Sequence, residues 1–113
     1  MAMLAMAFAI APGKTEQWKK FASELTGRRR ADFVATRKRL GIHERTFLQK
    51  TPMGDLVVVT MEGKDPAGAF QKFTQGTDEF TKWFLAQASE IHGMDLTKPP
   101  PGPPPELIID SEG

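Results

Sequence analysis

Residues 43–63 read HERTFLQKTPMGDLVVVTMEG, two strand-like runs either side of the turn Thr51-Pro52-Met53-Gly54. The second run, Asp55–Met61, places Leu56, Val57, Val58 and Val59 in succession. It is apolar on both faces, as a strand in the middle of a sheet is. The first run, Ile42–Lys50, mixes His43, Glu44, Arg45, Gln49 and Lys50 with Phe47 and Leu48, the composition of an edge strand. A four-residue loop over 51–54 would pair Lys50 with Asp55 and, counting back, His43 with Glu62 and Arg45 with Thr60. A slip of one residue would send every side chain to the opposite face and disperse the His43, Arg45 and Glu62 group.

Both flanks of the hairpin read as helix. Upstream, Trp18, Phe21, Ala22 and Leu25 recur at i, i+3, i+4, i+7 and the stripe continues through Phe33 and Leu40, predicting one helix from about Lys14 to Leu40. Gly27 marks a bend within it, and Gly41 suits the left-handed stop. Downstream, Asp65-Pro66 is a cap followed by proline at the first helical position, opening a short helix with Phe70 and Phe73. Thr77 or Asp78 caps the next helix, whose stripe is Phe80, Trp83, Phe84, Gln87, Ala88 and Ile91 before Gly93 stops it. At the start of the chain, Met3–Ile10 sets Leu4, Met6, Phe8 and Ile10 on one face and Met3, Ala5, Ala7 and Ala9 on the other, a strand covered on both sides. Lys98–Pro105, KPPPGPPP, can only be an extended connection, and Glu106–Asp110, ELIID, is a short apolar strand returning to the sheet.

The order β-α-β-β-α-β is the split-βαβ, ferredoxin-like arrangement, an α+β fold with an antiparallel sheet in strand order 4-1-3-2. Strands one and three are then central, in agreement with their apolar content. The 113 residues form one domain, with 98–105 as a strap to the last strand. Cysteine is absent, excluding disulfides and thiolate chemistry. The opening MAMLAMAFAI lacks the basic start of a signal peptide and is far short of a membrane span, so a cytoplasmic protein is expected. Charge is uneven: residues 14–45 carry ten Lys/Arg against four Asp/Glu, and residues 46–113 five against ten.

Two segments, RLGIHERTFLQKTPMGDLVVVTMEGKDP and DEFTKWFLAQASEIHG, carry a resemblance to the dimeric α+β barrel superfamily. The first has the Leu-Gly turn out of the first helix into the hairpin, the second the aromatic-rich last helix. Members include antibiotic-biosynthesis-type monooxygenases, haem-degrading monooxygenases and many small uncharacterised proteins. The resemblance, over roughly residues 3–96, implies a homodimer joined through the open sheet faces and a cavity between each sheet and its helices. It also implies cofactor-independent monooxygenase-like chemistry. The Asn-Trp groups, with Tyr or His, that such enzymes use cannot be carried over, because the chain has no Asn and no Tyr. A cavity with Trp83 or Trp18 and one histidine is what remains transferable.

The chemistry-bearing residues follow from these placements. His92 closes the last helix, where the dipole favours imidazolium; capping is the preferred role, a catalytic base or a haem ligand on the cavity rim the other. His43 beside Glu62 and Arg45 could bind a carboxylate or act as acid and base, against the plainer reading of a solvated edge-strand group that deters aggregation. Phe80, Trp83, Phe84 and Trp18 would line an apolar pocket for a small aromatic ligand, and Ala5, Ala7 and Ala9 leave an apolar sheet face for a partner subunit to cover. No cofactor is expected. The histidines lack metal-ligand spacing, the three serines lack a GxSxG elbow, and no Gly-rich phosphate loop is present. The basic triplets Arg28–Arg30 and Arg37–Arg39 do not fall on one stripe with aromatics, which argues against nucleic acid as a partner. The readings carried forward are a ligand-binding or monooxygenase-like protein, a non-enzymatic homodimeric module and, third, nucleic-acid binding through the basic first helix.

Overall fold

A computed structural model describes residues 2–98 and 102–112 of the chain. The elements run β1 (Ala2–Ala9), α1 (Thr15–Thr26), α2 (Arg30–Leu40), β2 (Ile42–Gln49), β3 (Leu56–Gly63), α3 (Pro66–Thr74) and α4 (Glu79–His92). The hairpin falls where the residues place it. Thr51–Gly54 forms the loop, Gly54 N–H donates to Thr51 O at 3.1 Å, and His43 pairs with Glu62 and Arg45 with Thr60. β1 joins the other side of β3, also antiparallel, so the sheet order is β1-β3-β2 with the valine strand in the middle.

Alternation along β3 sorts the two faces. Val57, Val59 and Met61 are buried, while Leu56, Val58, Thr60 and Glu62 are only half-buried. The buried set packs with Met6, Ile10, Phe21 and Ile91 as the core. Strand period two and helix period 3.6 thus present their apolar sides to each other. α1 and α4 run antiparallel: Lys14 meets Glu90, Gln17 meets Gln87, and Phe21 meets Trp83 and Phe84. Asp65 and Asp78 cap α3 and α4 by accepting from Gly68 N–H and Thr81 N–H. Gly41 and Gly93, at φ of 71° and 63°, close α2 and α4 in the left-handed region that glycine adopts without a Cβ penalty.

Two expectations are corrected. The helix predicted over 14–40 is two helices, broken at 27–29. A Cβ on Gly27 would lie 2.9 Å from Ser23 O, so the chain makes a tight exit there that only glycine fits. The break lets α2 turn Phe33 and Arg37 toward the sheet independently of the α1 stripe. The predicted last strand does not form: residues 106–110 pair with no strand among the described residues, and Leu107, Ile108 and Ile109 are 69%, 76% and 84% exposed. The sheet therefore has three strands, and β1 is an edge rather than a central strand. Residues 99–101 of the proline-rich connection lie outside the described residues. Among the described residues no helix is long and apolar enough to cross a membrane.

Candidate functional site

Apolar room and charged groups coincide between the sheet and the helices. A cavity of about 310 Å³ lies there, walled by Met6, Phe8, Val57 and Met61 of the sheet and by Trp18, Phe21, Phe33, Phe73 and Phe84 of the helices. That volume is at the small end of the range for small-molecule sites. Its charged or titratable wall groups are Arg30, Arg37, Glu44 and His92.

Strand parity brings in the first polar group. Glu44 shares its face of β2 with Ile42 and Leu48, so its carboxylate points at the helices rather than at water. An inward charge on an edge strand is one way proteins discourage edge pairing, provided the charge is matched. Arg37, one helical turn after Phe33, supplies the match. Its Nε donates to Glu44 Oε1 at 2.8 Å, and the two side chains are 7% and 6% exposed. Arg37 Nη1 donates to Thr36 Oγ1 at 3.2 Å, and Thr46 Oγ1 donates to Glu44 Oε2 at 3.2 Å. The guanidinium carbon lies 4.3 Å from the Phe73 ring centre, 4.6 Å from Phe33 and 5.1 Å from Phe84. Three ring faces around a desolvated cation are favourable, up to about 2 kcal/mol for a good contact. Burial pulls the Arg37 pKa below the ordinary arginine value, and Glu44 opposes that pull. An arginine remains charged even so.

His92 is the polar group at the other end. Its Nδ1 lies 2.9 Å from Ala9 O and its ring is 5.3 Å from that of Phe8. A carbonyl only accepts, so the proton sits on Nδ1 and Nε2 carries the lone pair. Burial pushes the imidazole pKa down, with the Ala9 bond opposing. This corrects the expected helix cap. Gly93 N–H closes α4 on Glu90 O and Ser89 O, while the His92 ring reaches across to β1 and is held neutral.

A pH dependence follows. The unfolded chain protonates this histidine near its ordinary value of 6.5, and the folded chain does so only lower. Between those two values the unfolded state binds more protons, so stability is full above about pH 6.5 and falls as pH drops. Urea midpoints taken from about pH 7.5 to about pH 5 should show this fall, at a limiting slope of about 1.4 kcal/mol per pH unit. His92→Gln should flatten it. An unchanged slope in the variant would assign the dependence elsewhere.

The two ends are far apart. His92 sits on Phe8, at the level of Val57, whereas Glu44 is level with Met61 and Leu4 on the opposite edge strand. Four residues along the strands and two strand spacings across give a backbone separation of roughly 16 Å. His92 and the Arg37–Glu44 pair therefore cannot act on one atom, but they can hold opposite ends of one molecule.

The structure brings together only some of the residues singled out by sequence. Trp18, Phe84 and His92 line the cavity. Phe80 is buried in the aromatic core beside Trp83 and Phe84, and Trp83 packs on Phe21 under the Arg29 guanidinium at 4.1 Å; neither is on the cavity wall. His43, Arg45 and Glu62 share the opposite, open face of the sheet, where Arg45 Nη1 donates to Glu62 Oε1 at 2.6 Å. That group is real but cannot reach the cavity. Four of the five arginines in 28–39 face carboxylates of their own chain, on Glu24, Glu79, Glu44 and Asp78. Among the described residues no group of three or more His, Asp or Glu side chains is placed to hold a metal. Sequence reasoning missed Arg37 and Glu44, the best-built polar feature of the site. Comparison with protein-family models, curated proteins and solved structures finds no match.

Proposed function

We propose that the protein binds a small, largely apolar molecule carrying an aromatic or aliphatic frame in the cavity between sheet and helices. The cavity itself supports this reading: about 310 Å³ bounded mostly by aromatic, aliphatic and methionine side chains, with Arg30, Arg37, Glu44 and His92 as its charged or titratable groups. Concave, mostly apolar space of this size with a few polar groups is the usual setting for a small-molecule site. Binding without chemistry is the form we adopt. The monooxygenase-like reaction implied by the superfamily resemblance would rest on His92 Nε2 as its base, with neither Asn nor Tyr to assist it. The test is a thermal-shift series with neutral probes, 2-naphthol and menadione. A ligand present at about 100 times its Kd adds about 2.7 kcal/mol, several degrees in Tm. No shift with either probe up to the solubility limit would favour a filled, non-enzymatic module instead.

A second reading, the homodimer, is favoured by the open sheet face. Ala7, Val58 and Phe47 form one row across it, with Leu56 and Ala9 alongside, and Phe47 is 53% exposed and Met3 54% exposed. A contiguous apolar surface of this kind on a sheet is characteristically covered by a partner, here a second copy. Among the described residues the outer edge of β1, eight residues long, has no partner strand, and pairing by 106–110 would complete the ferredoxin-like order beside it. Sedimentation at micromolar concentration should give a dimer, and Val58→Asp should give a monomer. A wild-type monomer there would remove this reading.

A further inference from the structure

A buried ion pair that exists only to hold a fold uses up its donors, because an unpartnered buried donor is costly. Arg37 does not use all of its own. Nε is taken by Glu44 and Nη1 by Thr36, but Nη2 has no protein partner among the described residues. Nor is Nη2 sealed away, since the buried side-chain atom left wholly without a partner there is Arg29 Nε. Arg37 forms part of the cavity wall, and Nη2 is the guanidinium nitrogen it has left to offer there. Glu44 does not repel an incoming anion as a bare charge would, because its two oxygens already accept from Arg37 Nε and Thr46 Oγ1. Arg30 adds a second cation to the wall, exposed and without an ion-pair partner among the described residues. Two cations against one carboxylate leave the site one negative charge short, and a neutral His92 does not change that balance.

We propose that the ligand is a monocarboxylic acid, its carboxylate bonded by Arg37 Nη2 and its apolar frame lying along Met6, Val57 and Phe84 toward Phe8. This rests on the cavity reading above and narrows it to one chemical class. A planar carboxylate matches an arginine donor, whereas a phosphate dianion would need more donors than this wall offers. The neutral middle of the cavity takes the hydrocarbon.

Calorimetric titration of the full chain with 2-naphthoate and with 2-naphthamide tests it. The two probes share a frame and differ in charge. Naphthoate should bind roughly tenfold tighter or more, the size of a hydrogen bond to a charged group. The preference should persist in about 0.5 M NaCl, because a buried pair is screened little. Arg37→Met with Glu44→Leu removes the pair without stranding either charge and should bind both probes alike. Arg37→Lys, which keeps a cation beside Glu44 but has no second nitrogen, should lose the preference too. Equal affinities in the wild type, or a preference that survives both variants, would overturn the carboxylate assignment and leave the apolar cavity standing. Binding of neither probe would overturn both.

Discussion

Arg37→Met, made alone, is expected to cost about 3–5 kcal/mol of folding free energy. A domain of this kind has about 5–15 kcal/mol in total, so the variant should lose a large share of its stability. The Arg37–Glu44 bond itself is worth far less than that. The loss comes from the Glu44 carboxylate, 6% exposed, which would keep Thr46 as its remaining hydrogen-bond donor in an apolar wall. Adding Glu44→Leu removes the stranded charge, and replacement of a buried pair by well-packed apolar groups is often neutral or stabilising. Leu at 44 would also continue the Ile42 and Leu48 side of β2. The double variant should therefore recover most of the loss, and a urea double-mutant cycle should give a coupling energy of several kcal/mol. A single variant costing less than about 1 kcal/mol would mean that water reaches the pair and that it is not buried in solution.

That pair also shows where the sequence stopped being legible. Hairpin register was open in the sequence, because a strand apolar on both faces tolerates a slip; it followed only on the condition of a four-residue loop over 51–54, which is the loop that forms. The cap at Asp65, the cap at Thr77 or Asp78 (Asp78 in the structure) and the glycine stops at 41 and 93 were readable for local reasons. The helix-facing side of β2 was not read as a site, although the information was there. Glu44 has the same parity as Ile42 and Leu48, and Arg37 sits in the Phe33, Arg37, Leu40 stripe at i, i+4, i+7. Seen as part of the triplet Arg37–Arg39 it looked like a solvated charge run. Of the three neighbouring aromatics read as pocket lining, Phe80, Trp83 and Phe84, only Phe84 reaches the cavity, and the reason is geometric. Neighbouring helix positions point about 100° apart, and which one meets the cavity depends on the helix's rotation, which a stripe five residues wide leaves open. ELIID says that residues 107–109 favour burial, but apolarity does not say against what. The strand needs an edge to pair with, and in the single chain none is used.

Phe84→Ala is the other large effect expected, about 3–5 kcal/mol on the usual scale for deleting a core phenylalanine. Phe84 joins the core to the site. Its ring lies 5.0 Å from Phe21 and from Phe73, both edge to face, 6.1 Å from Phe80 and 6.5 Å from Phe33. It also closes one side of the cage around Arg37 at 5.1 Å. One side of the ring already faces the cavity, so fewer contacts are lost than in a fully packed setting and the lower end of the range applies. For a domain of this size that is a fall of at least about 10 °C in Tm. The truncation opens further apolar space next to the cavity, and apolar space of ring size binds small aromatics. Benzene or indole should therefore raise the Tm of Phe84→Ala by more than it raises that of the wild type, through preferential binding to the folded chain. Phe73→Ala combined with Phe84→Ala should cost less than the two single losses together, since the rings share one contact and one void. Rescue by benzene equal to that of the wild type, with strictly additive losses, would show that the aromatic cluster relaxes to fill the gap and that the room between sheet and helices is not held open by these rings.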